Sequence, residues 1–321
     1  MSPTRRSLVL ITGSLCCSPR LAAAQEAQPL RIVFPFAPGG AADAIARLLA
    51  DELRLRLGRP VIVENRAGAG GRIGAQAVKA APPDGATLLL AAATQMVLQP
   101  HTDPTIGYDP VADFRPVMQL MRFGQVVVVG PENPARSPAE LIAWFRADPA
   151  RRSFGSPGLG TGAHFAGMEL GRLGGVPLEH VAYRGTPAAL PDLQTGRIGM
   201  FVASFGEFRE HHRAGRVRIL ASTDAERPRS TAEVPTLRES GFDIVAPGWF
   251  AFYAPAATPE PVTARLAQSI SGALAAPSLR ARIEELGFEV SGAGPSELAA
   301  IQRSESERWA AMVRASGFRP A

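Results

Sequence analysis

With 321 residues, a formal charge of +5 and two cysteines, Cys16 and Cys17, the chain is long enough for one or two domains with a sizeable core. Both cysteines and three arginines (Arg5, Arg6 and Arg20) fall within residues 1–24, so the remainder carries +2 and no thiol. That excludes a disulfide framework and any thiolate nucleophile or thiolate metal site, and it leaves no basic footprint for nucleic acid.

Thr4-Arg5-Arg6-Ser7 leads into an apolar run to about Cys17, and Ala22-Ala23-Ala24 is an A-x-A cleavage signal. Residues 1–24 are expected to direct export and to be removed near Ala24, since the apolar run is too short to span a bilayer. The paired arginines leave secretory and twin-arginine export both open.

Ile32-Val33-Phe34 is a short buried-strand run, Pro38-Gly39-Gly40 a turn, and Ile45, Leu48, Leu49, Leu53 and Leu57 a helical face that Gly58 ends. A strand, a glycine turn and a helix start place unpaired N–H groups and a positive dipole end together, which suits an anion. An ordinary βα turn has the same pattern. Pro60–Glu64 repeats the strand, and Asn65–Gly74 the glycine-rich turn into a helix near Gln76–Val78. Its spacing from Gly68, G-x-G-x-x-x-G, is one residue off the dinucleotide fingerprint, and no acid follows a second strand at the required distance.

Ala86–Leu90 is a third buried strand, ending in small residues and Thr94-Gln95, and the stretch from His101 to Pro116 is a long surface connection. Val117–Val129 is β in character, and Ser137-Pro138-Ala139-Glu140 opens a helix as N-cap, first-turn proline and capping-box acid. Ser153–His164 repeats the strand, glycine loop and helix, giving each half of the chain a glycine-loop anion site. Strands follow at Leu178–Ala182, Ile198–Ala203, Arg216–Ala221 and Trp249–Tyr253, with Tyr183–Pro187 a further strand-to-helix turn. From Pro259 onward the chain is helical, over Val262–Leu274, Ser278–Leu286 and Ser296–Val313 with Ser296 as cap.

No catalytic set assembles from these residues. Ser156 and His164 lie eight residues apart but without a G-x-S-x-G elbow, and His211-His212 point apart on a helix and cannot share a metal. No metal or cofactor is expected.

Five motifs occur in one order: Pro35–Asp43, Val63–Gly71, Tyr108-Asp109-Pro110 with Asp113-Phe114, Gly158–Thr161 with His164, and Tyr183–Gly185 with Pro187, Ala188 and Leu190. Val234-Pro235-Thr236 with Glu239 and Gly241, and Trp249-Phe250, follow them. This order resembles Bug-type receptors, the periplasmic solute-binding proteins of tripartite tricarboxylate transporters, from about Leu30 to Phe318. The resemblance implies a two-domain α/β fold of the Venus flytrap kind, with a hinge and an interdomain cleft, and a non-enzymatic role. Glycine and proline punctuate the strand signals at Phe123-Gly124 and Ala246-Pro247-Gly248, which places domain I at 29–123 and 247–321 and domain II at 124–246. The resemblance also implies a small carboxylated solute, mono- or dicarboxylic, aromatic acids included, with delivery by a monomer to the membrane permease subunits of such a transporter.

The ligand residues it implies begin in the first loop with Ala37, Gly39, Gly40, Ala41 and Asp43, and include Gly70 of the second. Across the cleft it implies Ser156, Gly158, Gly160, Thr161, His164 and Tyr183. The candidates for the far end of the ligand are Phe36, Thr94, Phe201, Ser204 and Trp249, which follow strand ends or lie in the hinge region. Gly199 and Ala203 stand where the family commonly has aspartates, which disfavours an amino-acid ligand if these positions face the cleft. An exported α/β enzyme acting on a carboxylic acid is the alternative.

Overall fold

The computed structural model describes residues 28–183, 185–228, 231–316 and 318. The export signal and Arg184 lie outside the described residues.

Two β-sheets organise the chain. The first has six strands in the order β11-β4-β10-β3-β1-β2: β1 (Leu30–Phe34), β2 (Val61–Asn65), β3 (Thr87–Ala92), β4 (Phe114–Phe123), β10 (Gly248–Pro255) and β11 (Glu289–Val290). The second has five in the order β7-β6-β8-β5-β9: β5 (Gln125–Val129), β6 (Ser153–Ser156), β7 (Glu179–Ala182), β8 (Met200–Ser204) and β9 (Arg218–Ser222). Within the first, β1 pairs parallel with β2 and β3; within the second, β6 pairs parallel with β7 and β8. Only Gly124 separates β4 from β5, and the chain returns to the first sheet between Ser222 and Gly248.

Side-chain alternation makes three cores. One face of the first sheet is covered by α1 (Ala41–Leu57), α8 (Glu260–Leu274) and α9 (Pro277–Glu285). Val126 and Val128 of β5 face α6 (Thr186–Gln194) and α7 (Phe205–Arg213). Val127 and Val129 join a core that runs from the other face of the first sheet, through α10 (Pro295–Ser316), to α4 (Pro138–Ala147) and α5 (Gly162–Leu173). Trp309 of α10 meets Phe165 of α5 with ring centroids 6.0 Å apart, so α10 ties the sheets together away from the crossovers.

Two local expectations are corrected. Ser296 lies inside α10, whose first residue is Pro295, and the first turn closes through Leu298 N–H to the Gly294 carbonyl at 2.8 Å; proline at the first position takes the place of a polar cap. The stretch from His101 to Pro116 is anchored as well as exposed, because Ile106 and Tyr108 are buried and Tyr108 packs edge-on against Phe114.

Candidate functional site

Helices that follow parallel strands start at the strands' carboxyl ends, where open α/β sheets bind ligands. In the first sheet α1 and α2 (Arg72–Lys79) start there, as does the π-helical turn Thr94–Leu98 that leads into α3 (Gln99–Thr102). In the second sheet α5, α6 and α7 do so after β6, β7 and β8. Antiparallel pairing of Gly248 with Phe123, and of Gln125 with Ser204 and Val126 with Ser222, puts both crossovers at these same two edges. The carboxyl edges therefore face one another across the crossovers.

The first loop is exposed over Ala37–Gly40, while Phe36 packs on Phe34 and Phe250 at centroid separations of 5.4 and 6.4 Å. Gly39, at φ +97°, is in the left-handed region that favours glycine. Asp43 is buried and turned back to hold this loop. It accepts from Gly39 N–H (3.1 Å), Arg47 Nε (3.0 Å) and Asn65 Nδ2 (2.8 Å), and Asn65 also donates to the Phe36 carbonyl (3.2 Å). Burial raises the Asp43 pKa, but the bonds from Arg47, Asn65 and Gly39 outweigh it and hold the carboxyl below its ordinary value. The amides of Ala41 and Ala42 find no acceptor among the described residues.

The second loop runs through positive φ at Gly68, Ala69, Gly70 and Gly71. Two side chains that sequence reasoning did not single out hold it. Gln95 Nε2 and Gln99 Nε2 donate to the Gly70 carbonyl at 2.6 and 2.9 Å, and Gln95 Oε1 accepts from Ala92 N–H at 2.8 Å. The Tyr108 hydroxyl lies 2.9 Å from both the Gln95 carbonyl and Gln99 Oε1. Gln95 has no exposed surface, so Gln95→Leu leaves the Ala92 N–H unpaired and the Gly70 carbonyl with Gln99 as its remaining donor. We expect it to cost about 2 kcal/mol in chemical denaturation and to raise hydrogen exchange over Gly68–Gly71; unchanged exchange there would remove Gln95 from this role.

In the second sheet Ser156 and His164 are close in sequence but engaged separately. Ser156 Oγ donates to the Gly158 carbonyl (3.0 Å) and lies 2.7 Å from His180 Nε2, while His164 Nδ1 accepts Gly160 N–H at 3.2 Å. Thr161 caps α5 by accepting His164 N–H at 3.2 Å and donates to the Gly158 carbonyl at 2.8 Å. The two imidazoles lie 4.0 Å apart between centroids. Burial lowers both pKa values to about 4, with the neighbouring His164 a further cause for His180. Ser156 has no exposed surface.

Thr94 and Trp249 line one cavity of about 30 Å³ with Gly162, Phe123, Gln125 and Trp309. Such a volume holds about two waters and no organic acid. The Trp249 indole is buried and donates to Glu305 Oε2 at 2.8 Å. Tyr183 donates to Asp192 Oδ2 at 2.9 Å, and Phe201 is fully buried against Tyr183 and Phe208. Gly199 and Ala203 also lie in the interior. A Cβ at Gly199 would collide with Phe145 and the Arg151 carbonyl, and Ala203 faces the core beneath α6 and α7. Their lack of a carboxylate therefore says nothing about the ligand. Ser204 ends β8 and is half-buried beside Glu207, an acid of the first turn of α7 that sequence reasoning passed over.

The family model "Tripartite tricarboxylate transporter family receptor" matches residues 45–318. Two relatives are "UPF0065 protein in tcbD-tcbE intergenic region" of Pseudomonas sp. strain P51, 38% identical over 89% of this chain and 85% of that protein, and "Protein BugT" of Bordetella pertussis, 33% identical over 96% and 95%. Among solved structures, Rpa4515 of R. palustris with adipate superposes with a TM-score of 0.86 at 29% identity, covering 92% of this chain and 100% of that one. MatC of Rhodopseudomonas palustris with bound malate has a TM-score of 0.81 at 30% identity, covering 89% and 98%.

Proposed function

The chain belongs to the tripartite tricarboxylate transporter receptor family, and from that premise we propose that it is a periplasmic receptor for a small carboxylate. It captures the acid between the two carboxyl edges and releases it unchanged to the membrane permease of such a transporter. One carboxylate of the ligand is held by the unpartnered amides of Ala41 and Ala42 at the start of α1, opposite the amides at the start of α5. Those free amides carry the reading: neutral donors and two helix dipoles suit an anion without a buried cation. The malate and adipate of the two structural relatives are acids of this class.

The same reading divides the chain into domain I (29–123 and 247–321) and domain II (124–246), hinged at the two crossovers. Support comes from the placement of β4 and β5 on either side of Gly124. Because the enclosed space is far too small for an acid, the edges part to admit it and close on it, which couples capture to docking as a population shift. Export by residues 1–24 places the protein in the periplasm.

Thermal-shift screening of the purified protein tests this. At ten times its Kd a bound acid stabilises by about 1.4 kcal/mol. Mono- and dicarboxylates, aromatic acids among them, are expected to raise Tm. Stabilisation by sugars or cations alone would overturn the reading.

A further inference from the structure

We propose that Glu207 makes this cleft select a carboxylate that carries a hydrogen-bond donor, a hydroxyl or an ammonium group, over the same acid without one. The proposal rests on the receptor reading above and adds a ligand class to it.

The starting point is position. α5, α6 and α7 all begin at the carboxyl edge of the second sheet, and Glu207 lies in the first turn of α7, three residues after Ser204 ends β8. The Thr186 hydroxyl, from the first residue of α6, donates to Glu207 Oε2. This carboxylate therefore sits between two helix starts on the edge that faces the first sheet. Glu207 keeps an exposed surface there, while the protein packed about its carboxyl group outweighs a hydrogen bond from Ser204 and raises its pKa to about 7.

Two other acids near the cleft, Asp43 and Glu305, are committed to protein partners. Asp43 is ion-paired with Arg47 and accepts a hydrogen bond from Asn65. Glu305 accepts the Trp249 indole N–H and lies 3.6 Å from Arg308. Asp224 lines the crossover beside Gly124, Arg122 and Glu289. Glu207 is held by hydroxyls alone among its hydrogen bonds to described residues, which fill part of an ionised carboxylate's four acceptor positions. A ligand hydroxyl or ammonium group can fill the rest. A second, bare ligand carboxylate at the same place meets like charge in an enclosed site, which is disfavoured. Attraction to one class and repulsion of the other together make a specificity residue.

Isothermal titration calorimetry at pH 8 with succinate, malate and aspartate tests this on a single carbon skeleton, since the three differ only in H, OH or NH3+ at one position. Adipate and benzoate are added as further donor-free acids. Malate or aspartate is expected to bind wild type at least tenfold more tightly than any donor-free acid. Glu207→Gln, which keeps an acceptor for Thr186 and removes the charge, is expected to bring that ratio within threefold by weakening malate and aspartate relative to succinate. Glu207→Ala serves as a second variant, and the wild-type ratio decides even where a variant does not fold. Donor-free acids binding wild type as tightly as malate and aspartate, or an unchanged ratio in both variants, would overturn the proposal while leaving the receptor reading intact. Failure of every acid to bind wild type would overturn both.

Discussion

Gly40→Val is expected to weaken carboxylate binding at least a hundredfold, about 3 kcal/mol, while leaving the thermal midpoint of the unliganded protein within a degree or two of wild type. Gly40 caps α1 at φ −81° and ψ 169°, an extended conformation that valine adopts without strain. A Cβ built there meets nothing within 4 Å, so the fold has room for the side chain. The same emptiness lies in front of the amides of Ala41 and Ala42, where the proposed ligand carboxylate must come within about 3 Å of nitrogen. A branched side chain in that space holds the anion off, and a displaced charge-assisted bond is lost almost entirely. Gly39→Val is the contrasting control. With φ at +97°, it is expected to destabilise the protein by about 1–3 kcal/mol through backbone strain. Unchanged affinity in Gly40→Val would remove the first loop from the site.

Much of this loop is legible in the chain because its determinants are local. A glycine pair between a strand and an amphipathic helix specifies where α1 begins, and Asp43, one turn in, is placed to accept the loop's own N–H groups. Ser137 is similar: its hydroxyl accepts Glu140 N–H at 3.2 Å, as the spacing predicts, although Glu140 Oε2 takes the Arg136 amide rather than that of Ser137 itself. What stays hidden depends on partners distant in sequence. Gln95 and Gln99 hold Gly70 from 25 and 29 residues away, and nothing in their neighbourhood marks that contact. His180 reaches Ser156 across 24 residues through β6–β7 pairing, displacing the Ser156–His164 pair that proximity suggests. Phe201 shows the other limit: alternation along β8 sends it to the core beneath α6 and α7, and a one-residue difference of register would have sent it to the opposite face.

The His164–His180 pair is expected to make the protein lose stability as pH falls from 6.5 towards 4. Both imidazoles have pKa values lowered by burial from 6.5 to about 4, so the unfolded chain binds protons more readily than the folded one. Stability contributed by their neutral state is complete above pH 6.5 and is lost progressively as pH falls towards 4. For His164 alone the shift corresponds to about 3 kcal/mol at the acid end, a loss of several degrees in Tm. The consequence reaches the site, because Nδ1 of His164 accepts the Gly160 amide only while it carries no proton. Protonation sets two N–H donors against each other at the start of α5, and the proposed grip on the carboxylate loosens with the fold. His164→Asn offers Oδ1 in place of Nδ1 without a titrating group. It is expected to lose some packing against Phe154 and Phe165 at every pH, yet to flatten the dependence of Tm on pH between 7 and 4.5. His164→Asn combined with His180→Gln should flatten it further. A wild-type Tm that does not move between pH 7 and 4.5, or an undiminished slope in the double variant, would show that this pair does not govern the acid response.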